Sequence, residues 1–232
     1  MTATVVSQIG VEALDDPATD PQLVVRMLRD IARANRWFGG TATVRAGLDL
    51  LLDANDRQRT LSLFDVGTGA GDLPLAAVRY AAQRGVTLRP LGLERIPAAA
   101  RLACSAGVPT LLGCASALPI GDRSVDIVLV SQVAHHLDDD AIVRLFGECS
   151  RVARRGVIIA DLRPSRLTEI AFRTVGGVLA FHPVTVTDGV TSLRRGFTPT
   201  RLRLLTTRAQ TPRPTVRWRP FARILACWRT DQ

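Results

Sequence analysis

Leu63-Phe64-Asp65-Val66-Gly67-Thr68-Gly69-Ala70-Gly71-Asp72 is the stretch that decides the fold. An apolar run ends in a carboxylate, glycines follow at alternate positions, and the segment Leu73 to Arg84 continues with helical apolar spacing. Glycine is needed where the backbone turns through positive φ or where a ligand touches the backbone itself. The order is therefore strand, ligand-hugging turn, helix. A dinucleotide-binding turn places its third glycine five positions after the first. Here that slot holds Asp72, whose carboxylate would repel a pyrophosphate yet suits a helix N-cap.

Working outward, strand and helix signals alternate. Val86 to Leu93 read as a second strand ending in Glu94, and an acid about 20 residues past such a turn is suited to hold a ribose diol. Pro97 to Ala106 predict a helix, Thr110 to Cys114 a third strand and Ile127 to Val130 a buried fourth. Asp138 and Asp139 open a helix that runs to Val152; Arg154-Arg155-Gly156 then turn into a fifth strand, Val157 to Leu162, with Asp161 at its end. Ser165 to Ala180 look helical, Phe181 to Gly196 form a connector suited to a lid or hairpin, and Thr200 to Thr206 a short helix. Thr215 to Arg219 and Arg223 to Arg229 predict two strands around Pro220. Upstream, residues 1 to 20 read as a loose acidic arm. A helix from Pro21 follows, with Asp20 as N-cap, and ends at Asn35-Arg36-Trp37-Phe38-Gly39-Gly40; Trp37 reads as core. Val44 to Leu52 form a second helix before the first strand.

The Asp65-x-Gly67-x-Gly69-x-Gly71 pattern resembles motif I of the class I S-adenosylmethionine (SAM) methyltransferases. Cys114-Ala115-Ser116-Ala117-Leu118-Pro119-Ile120, with Ser124-Val125-Asp126-Ile127-Val128 after it, is similar to that family's Asp-Ala-x-x-Leu-Pro-Phe and Ser-Phe-Asp-x-Val segments. Cys114 stands where the family has an acid. His135-His136, just past the fourth strand, resembles the ubiquinone and menaquinone methyltransferase group. The resemblance covers about residues 61 to 162 at the level of motifs. It implies a Rossmann-like α/β fold: a seven-stranded, mostly parallel sheet with helices on both faces, an antiparallel C-terminal strand pair and an N-terminal helical cap. It divides the chain into an arm and cap over 1–60 and a SAM-binding domain over 61–232, with a substrate-side insertion at about 163–200.

The same resemblance implies SAM as cofactor, bound by Asp65, Gly67, Thr68, Gly69, Gly71 and Asp72, by Glu94 with Arg95, and by Ala115 and Ser116 at the adenine. Ser131 and Gln132 join them at the end of the fourth strand, and Arg36 is placed at the methionine carboxylate. His136 matches the family histidine that often frames the pocket, and His135 is less constrained. Imidazole can take a phenol or enol proton near neutral pH, so each is a candidate general base beside a packing role. His182 is the third histidine.

The chain of 232 residues is long enough to bury a core, and mean hydropathy of +0.15 fits a globular protein. It contains no apolar run of about 20 residues that would span a bilayer and no signal-peptide pattern near Met1. Cys104, Cys114, Cys149 and Cys227 lack metal or paired spacing, so reduced thiols and a cytoplasmic location are expected. All 30 basic residues are arginine. Their excess is confined to the second half: the balance is −3 over residues 1–150 and +12 over 151–232. A basic face suits RNA or a small acidic substrate alike. Aromatic residues at 5% supply few stacking platforms, and neither an adenine-methylating Pro-Pro motif nor a Pro-Cys nucleophile is present, which speaks against a nucleic-acid partner. The acidic Mg²⁺ constellation of catechol-type relatives is not recognisable, so no metal is expected. The reading is a SAM-dependent methyltransferase acting on a small organic acceptor, such as a hydroxylated aromatic, polyketide or quinone-like molecule, in a biosynthetic pathway. The rivals are an RNA methyltransferase using the arginine-rich half and a non-catalytic SAM-binding protein.

Overall fold

The computed structural model describes residue 10 and residues 12–231. The parallel strands are β1 (Thr60–Val66), β2 (Thr87–Glu94), β3 (Thr110–Leu112), β4 (Val125–Ser131) and β5 (Ala153–Leu162). Two further strands, β6 (Thr215–Arg219) and β7 (Arg223–Arg229), run antiparallel, and the sheet order is β3-β2-β1-β4-β5-β7-β6. Around it lie α1 (Pro21–Trp37), α2 (Gly40–Leu51), α3 (Asp72–Ala82), α4 (Pro97–Ser105), α5 (Asp139–Val152), α6 (Arg166–Val178), α7 (Pro183–Arg195) and α8 (Pro199–Arg208). This is the Rossmann-like α/β architecture expected.

The central strands are nearly continuous apolar runs because both faces of the sheet are covered. Side chains alternate between the two faces. Leu63, Ile127, Leu129 and Ile158 pack on one side with Leu48 and Leu51 of α2 and with Ala77 of α3. Phe64, Val128, Val130, Val157 and Ile159 pack on the other side with Phe146 of α5, Leu202 of α8 and Trp228. Phe146 meets Trp228 edge to face at 5.7 Å. Gly47 lets α2 lie on the sheet, since a Cβ there would come within 2.5 Å of the Ile158 side chain.

Several expectations are corrected. Gly71, in the left-handed conformation, is the N-cap of α3, so Asp72 is its first residue. Arg154-Arg155-Gly156 form no turn: β5 begins at Ala153 directly after α5, and Gly156 is buried in the ladder. The segment after Phe181 is neither lid nor hairpin but α7, started by Pro183 and capped by the His182 side chain, which accepts from Val184 N. Trp37 is 62% exposed rather than core. The arm expected to be loose is tied down at its described end, where Glu12 and Asp15 pair with the buried Arg195 of α7. Residues 1–9 and 11 of that arm lie outside the described residues.

Phe146 is fully buried at the centre of one layer. Phe146→Ala should lower unfolding stability by about 3–5 kcal/mol, the cost of the lost transfer energy and the cavity left behind. Urea denaturation followed by circular dichroism checks this.

Candidate active site

The parallel strands β1, β4 and β5 all end at one edge, where the ligand crevice of an open α/β sheet lies. A cavity of about 690 Å³ occupies that edge, within the range of small-molecule and cofactor sites. Its floor is the glycine turn. Gly67, at φ +74°, comes so close to β4's outgoing loop that a Cβ would sit 2.3 Å from the Val133 side chain. Side chains are therefore excluded there for both conformational and steric reasons.

Glu94 holds this turn from the neighbouring strand. One carboxylate oxygen accepts from Gly69 N at 2.9 Å, and the other accepts from Arg95 N at 2.8 Å and Ile96 N at 3.0 Å. A carboxylate offers roughly four lone-pair positions. Three are thus used by backbone, leaving room for a ligand hydroxyl beside them.

Asp65 is buried, and among the described residues its Oδ1 has no hydrogen-bond partner. Burial pushes its carboxyl up to about 7, and the Asp72 and Glu94 carboxylates push the same way. Asp72 is also raised by burial; Asn35 Nδ2 opposes this by donating to it at 3.0 Å. Gln132, in the left-handed region at φ 55°, in turn donates to Asn35 Oδ1 at 2.7 Å. The nearby cation is Arg223, buried and brought down to about 10 by that burial. It donates to Phe38 O at 3.0 Å.

At the floor of the cavity three carboxyls, Asp65, Asp72 and Glu94, thus face one guanidinium, Arg223, an imbalance that suits a ligand carrying positive charge. SAM carries a sulfonium and an ammonium. Unpartnered buried atoms at Asp65 Oδ1, Thr68 Oγ1 and Ser131 Oγ, and a floor of bare glycine backbone, fit such a molecule.

The opposite end of the cavity is apolar, walled by Leu167, Phe172 and Val175 of α6 and Leu193 of α7. His135 and His136 stand between the two ends, their rings 4.2 Å apart. His135 is buried. Its Nδ1 lies 2.7 Å from Asp161 Oδ1, which also accepts from Leu162 N at 2.7 Å. Burial pushes Asp161 up, but His135 and that amide more than offset it and hold the carboxyl below its ordinary range. An ionised carboxylate can only accept, so the proton is assigned to Nδ1 and the lone pair to Nε2. Among the described residues that Nε2 has no partner. His136 is drawn to the arm instead, its Nδ1 3.0 Å from Asp15 Oδ1 and its Nε2 3.8 Å from Glu12 Oε2.

Of the residues named from sequence, Asp65, Gly67, Thr68, Gly69, Asp72, Glu94, Arg95, Ala115, Ser131, Gln132, His135 and His136 line this cavity. Gly71 lies just behind as the helix cap. Arg36 does not line it: its guanidinium is exposed and stacks on Trp37, and Arg223 and Asn35 occupy the floor instead. Ser116 is also exposed and outside the lining, because its loop turns outward after Ala115. Arg95 lines the wall but spends its guanidinium on the arm, donating to Leu14 O at 2.7 Å. Sequence reasoning missed Glu12, Asp15, Asn35, Arg195 and Arg223. A signal existed for Arg223, a lone charge entering an otherwise apolar strand. None existed for the arm, which meets the histidines from more than a hundred residues away.

No curated protein matches the chain significantly. Residues 64–160 match a family described as "Methyltransferase domain". Among solved structures, the chain is similar to a SAM-dependent methyltransferase from Aquifex aeolicus, with 15% identity, 90% of this chain and 97% of that one covered, and a TM-score of 0.58. It is similar to magnesium protoporphyrin IX methyltransferase from Synechocystis PCC 6803 with bound S-adenosylhomocysteine (17%, 82% and 82%, 0.53). Human N-acetylserotonin methyltransferase in complex with SAM is another relative in fold (14%, 89% and 56%, 0.59). The glycine turn and the sheet order thus coincide with a match to the methyltransferase-domain family over residues 64–160, on the fold those solved methyltransferases share.

Proposed function

We propose that the protein methylates a hydroxyl group of a small, largely apolar organic acceptor, of the hydroxylated aromatic, polyketide or quinone-like kind, in a biosynthetic pathway. One observation carries this reading: His135 lines the same cavity as the glycine turn and the apolar side chains of α6 and α7, and its buried Nε2 has no partner among the described residues. Bound SAM supplies a methyl group activated by its sulfonium. The chain's own residues align, dehydrate and take up a proton. Asp65 and Glu94 hold the cofactor's polar end. Phe172 and Leu193 pack the acceptor's body and exclude water. His135 Nε2 accepts the acceptor's hydroxyl hydrogen, and Asp161 keeps the ring in the tautomer that can do so.

Nothing at this edge favours RNA. Arg151, Arg155, Arg194, Arg201, Arg208 and Arg229 of the basic second half are engaged in ion pairs with acidic side chains. No helix among the described residues is long and apolar enough to cross a membrane.

His135→Ala should cut S-adenosylhomocysteine formation with a panel of phenols and naphthols by about 10²-fold or more, the usual range for a lost general base. Its calorimetric affinity for SAM should stay near that of the parent protein. Lost SAM affinity would make His135 a cofactor residue. Absence of product from the parent protein across the panel would favour a pure binder.

Asp65 supplies a pH dependence. Its folded-state pKa of about 7 lies above its ordinary 3.8, so the free protein keeps Asp65 protonated below about pH 7. A cationic ligand favours the ionised form, so SAM affinity should rise as pH rises toward 7, with proton release on binding below that pH. The same shift makes Asp65 lower folding stability progressively between pH 3.8 and about 7. Titration calorimetry in buffers of different ionisation enthalpy reads the released proton. Asp65→Asn should abolish the pH slope and weaken binding by about 1–3 kcal/mol.

A further inference from the structure

Glu12, His135 and His136 come from two distant parts of the chain, yet each brings one potential ligand atom within 4.8 Å of the other two. We propose that they form a binding site for one divalent transition-metal ion, held by Nε2 of both histidines and Oε2 of Glu12. The inference rests on the proposed function only for where the acceptor approaches, and with the ion bound the His135 Nε2 lone pair ligates the metal instead of taking the acceptor's proton directly.

Four observations carry it. His135 is 2% exposed and lines the cavity, and its buried Nε2 has no partner among the described residues. The Nδ1 of His135 is hydrogen-bonded to Asp161 at 2.7 Å, and that of His136 lies 3.0 Å from Asp15 as an ion-pair contact outside hydrogen-bond geometry. Metal-ligating histidines almost always have such a carboxylate or carbonyl on the ring nitrogen facing away from the ion, because it orients the ring and raises its basicity. Glu12 Oε2 sits 3.8 Å from His136 Nε2 while accepting from Ser192 Oγ at 2.8 Å; its other oxygen is held by Arg195 at 3.2 Å, so the carboxylate is fixed on both sides. Finally, Glu12, Asp15, Asp161 and Asp188 surround the pair, and the guanidiniums of Arg195 and, farther out, Arg95 leave negative charge uncompensated.

Two imidazoles and one carboxylate select borderline ions such as Zn²⁺ or Fe²⁺ rather than Mg²⁺ or Ca²⁺, which want oxygen ligands. The absence of an Mg²⁺ constellation in the sequence is thus no argument against this ion. Three protein ligands leave an open position facing the cavity. An acceptor hydroxyl bound there would lose its proton to water. Its oxygen pair would then form the bond to the methyl carbon, while the S–C pair stays on sulfur and S-adenosylhomocysteine leaves.

The test uses full-length, untagged protein stripped with a chelator. Calorimetry with ZnCl₂ should give one site per chain, and Co²⁺ should give d–d absorption without the thiolate charge-transfer band that Cys104 or Cys114 would add. Glu12→Gln, which preserves the shape and the Ser192 contact, and His136→Gln should each weaken Zn²⁺ at least ten-fold, whereas His182→Ala should leave it unchanged. MgCl₂ should not compete. Lack of one-to-one uptake, thiolate absorption, or equal affinity in Glu12→Gln, His136→Gln and parent would overturn the proposal. Because uptake is read without acceptor or SAM, a failed acceptor screen counts against the proposed reaction alone. Full turnover by chelated protein would overturn the metal's part and leave His135 as direct base.

Discussion

A single carboxylate ties the site together. Glu94, at the carboxyl end of β2, accepts from Gly69 in the turn after β1 and from Arg95 and Ile96 beyond its own strand. Each of those amides would cost about 1–3 kcal/mol if left buried and unpaired. The bond to Gly69 fixes the glycine backbone at the cavity floor. The bonds to Arg95 and Ile96 set the chain's exit from β2, and Arg95 from there reaches the N-terminal arm at Leu14. The floor, one wall and the cover therefore hang from one side chain that is itself part of the candidate ribose site.

Charge divides the cavity into two workplaces. At the floor, Asp65, Asp72 and Glu94 outnumber Arg223, and burial raises the Asp65 carboxyl to about 7, a shift that an arriving cation opposes. At the histidines, Glu12, Asp15 and Asp161 surround two imidazoles, with Arg195 as the buried counter-charge. The remaining walls of the cavity are largely aliphatic and aromatic, which strengthens both electrostatic fields. The arm completes the second workplace: without Glu12 and Asp15, His136 would face solvent and the pair would have only Asp161.

The sheet and the cofactor end were largely legible because they rest on local rules. Alternating glycines, a carboxylate at or near the ends of β1, β2 and β5, and apolar runs between helical periods are read within a few residues of one another. The two C-terminal strands were legible for the same reason, and their antiparallel pairing followed from the family resemblance. What was not legible depends on contacts distant in sequence. Glu12 and Asp15 belong to the site only because α7 carries Arg195 beneath them, and α7 itself was hidden in a Thr- and Val-rich segment whose propensity is not helical, where the Pro183 start and the tertiary contacts decide. Arg36 seemed suited to a carboxylate but points outward on α1, and Asn35 beside it points in. One residue of helical rotation, about 100°, separates the two outcomes. Arg154-Arg155-Gly156 belong to β5 and form no turn, because Gly156 there serves close packing against Leu51 and Trp228.

The central claim is that the glycine turn and Glu94 together hold the adenosyl group at the ends of β1 and β2. A crystal structure of the protein soaked with S-adenosylhomocysteine tests it most directly. The account requires the adenosine to lie along Gly67 to Gly69, with a ribose hydroxyl on Glu94 and the sulfur facing His135. Density for the ligand anywhere else, or a well-ordered cavity that stays free of it at saturating concentration, would contradict the account.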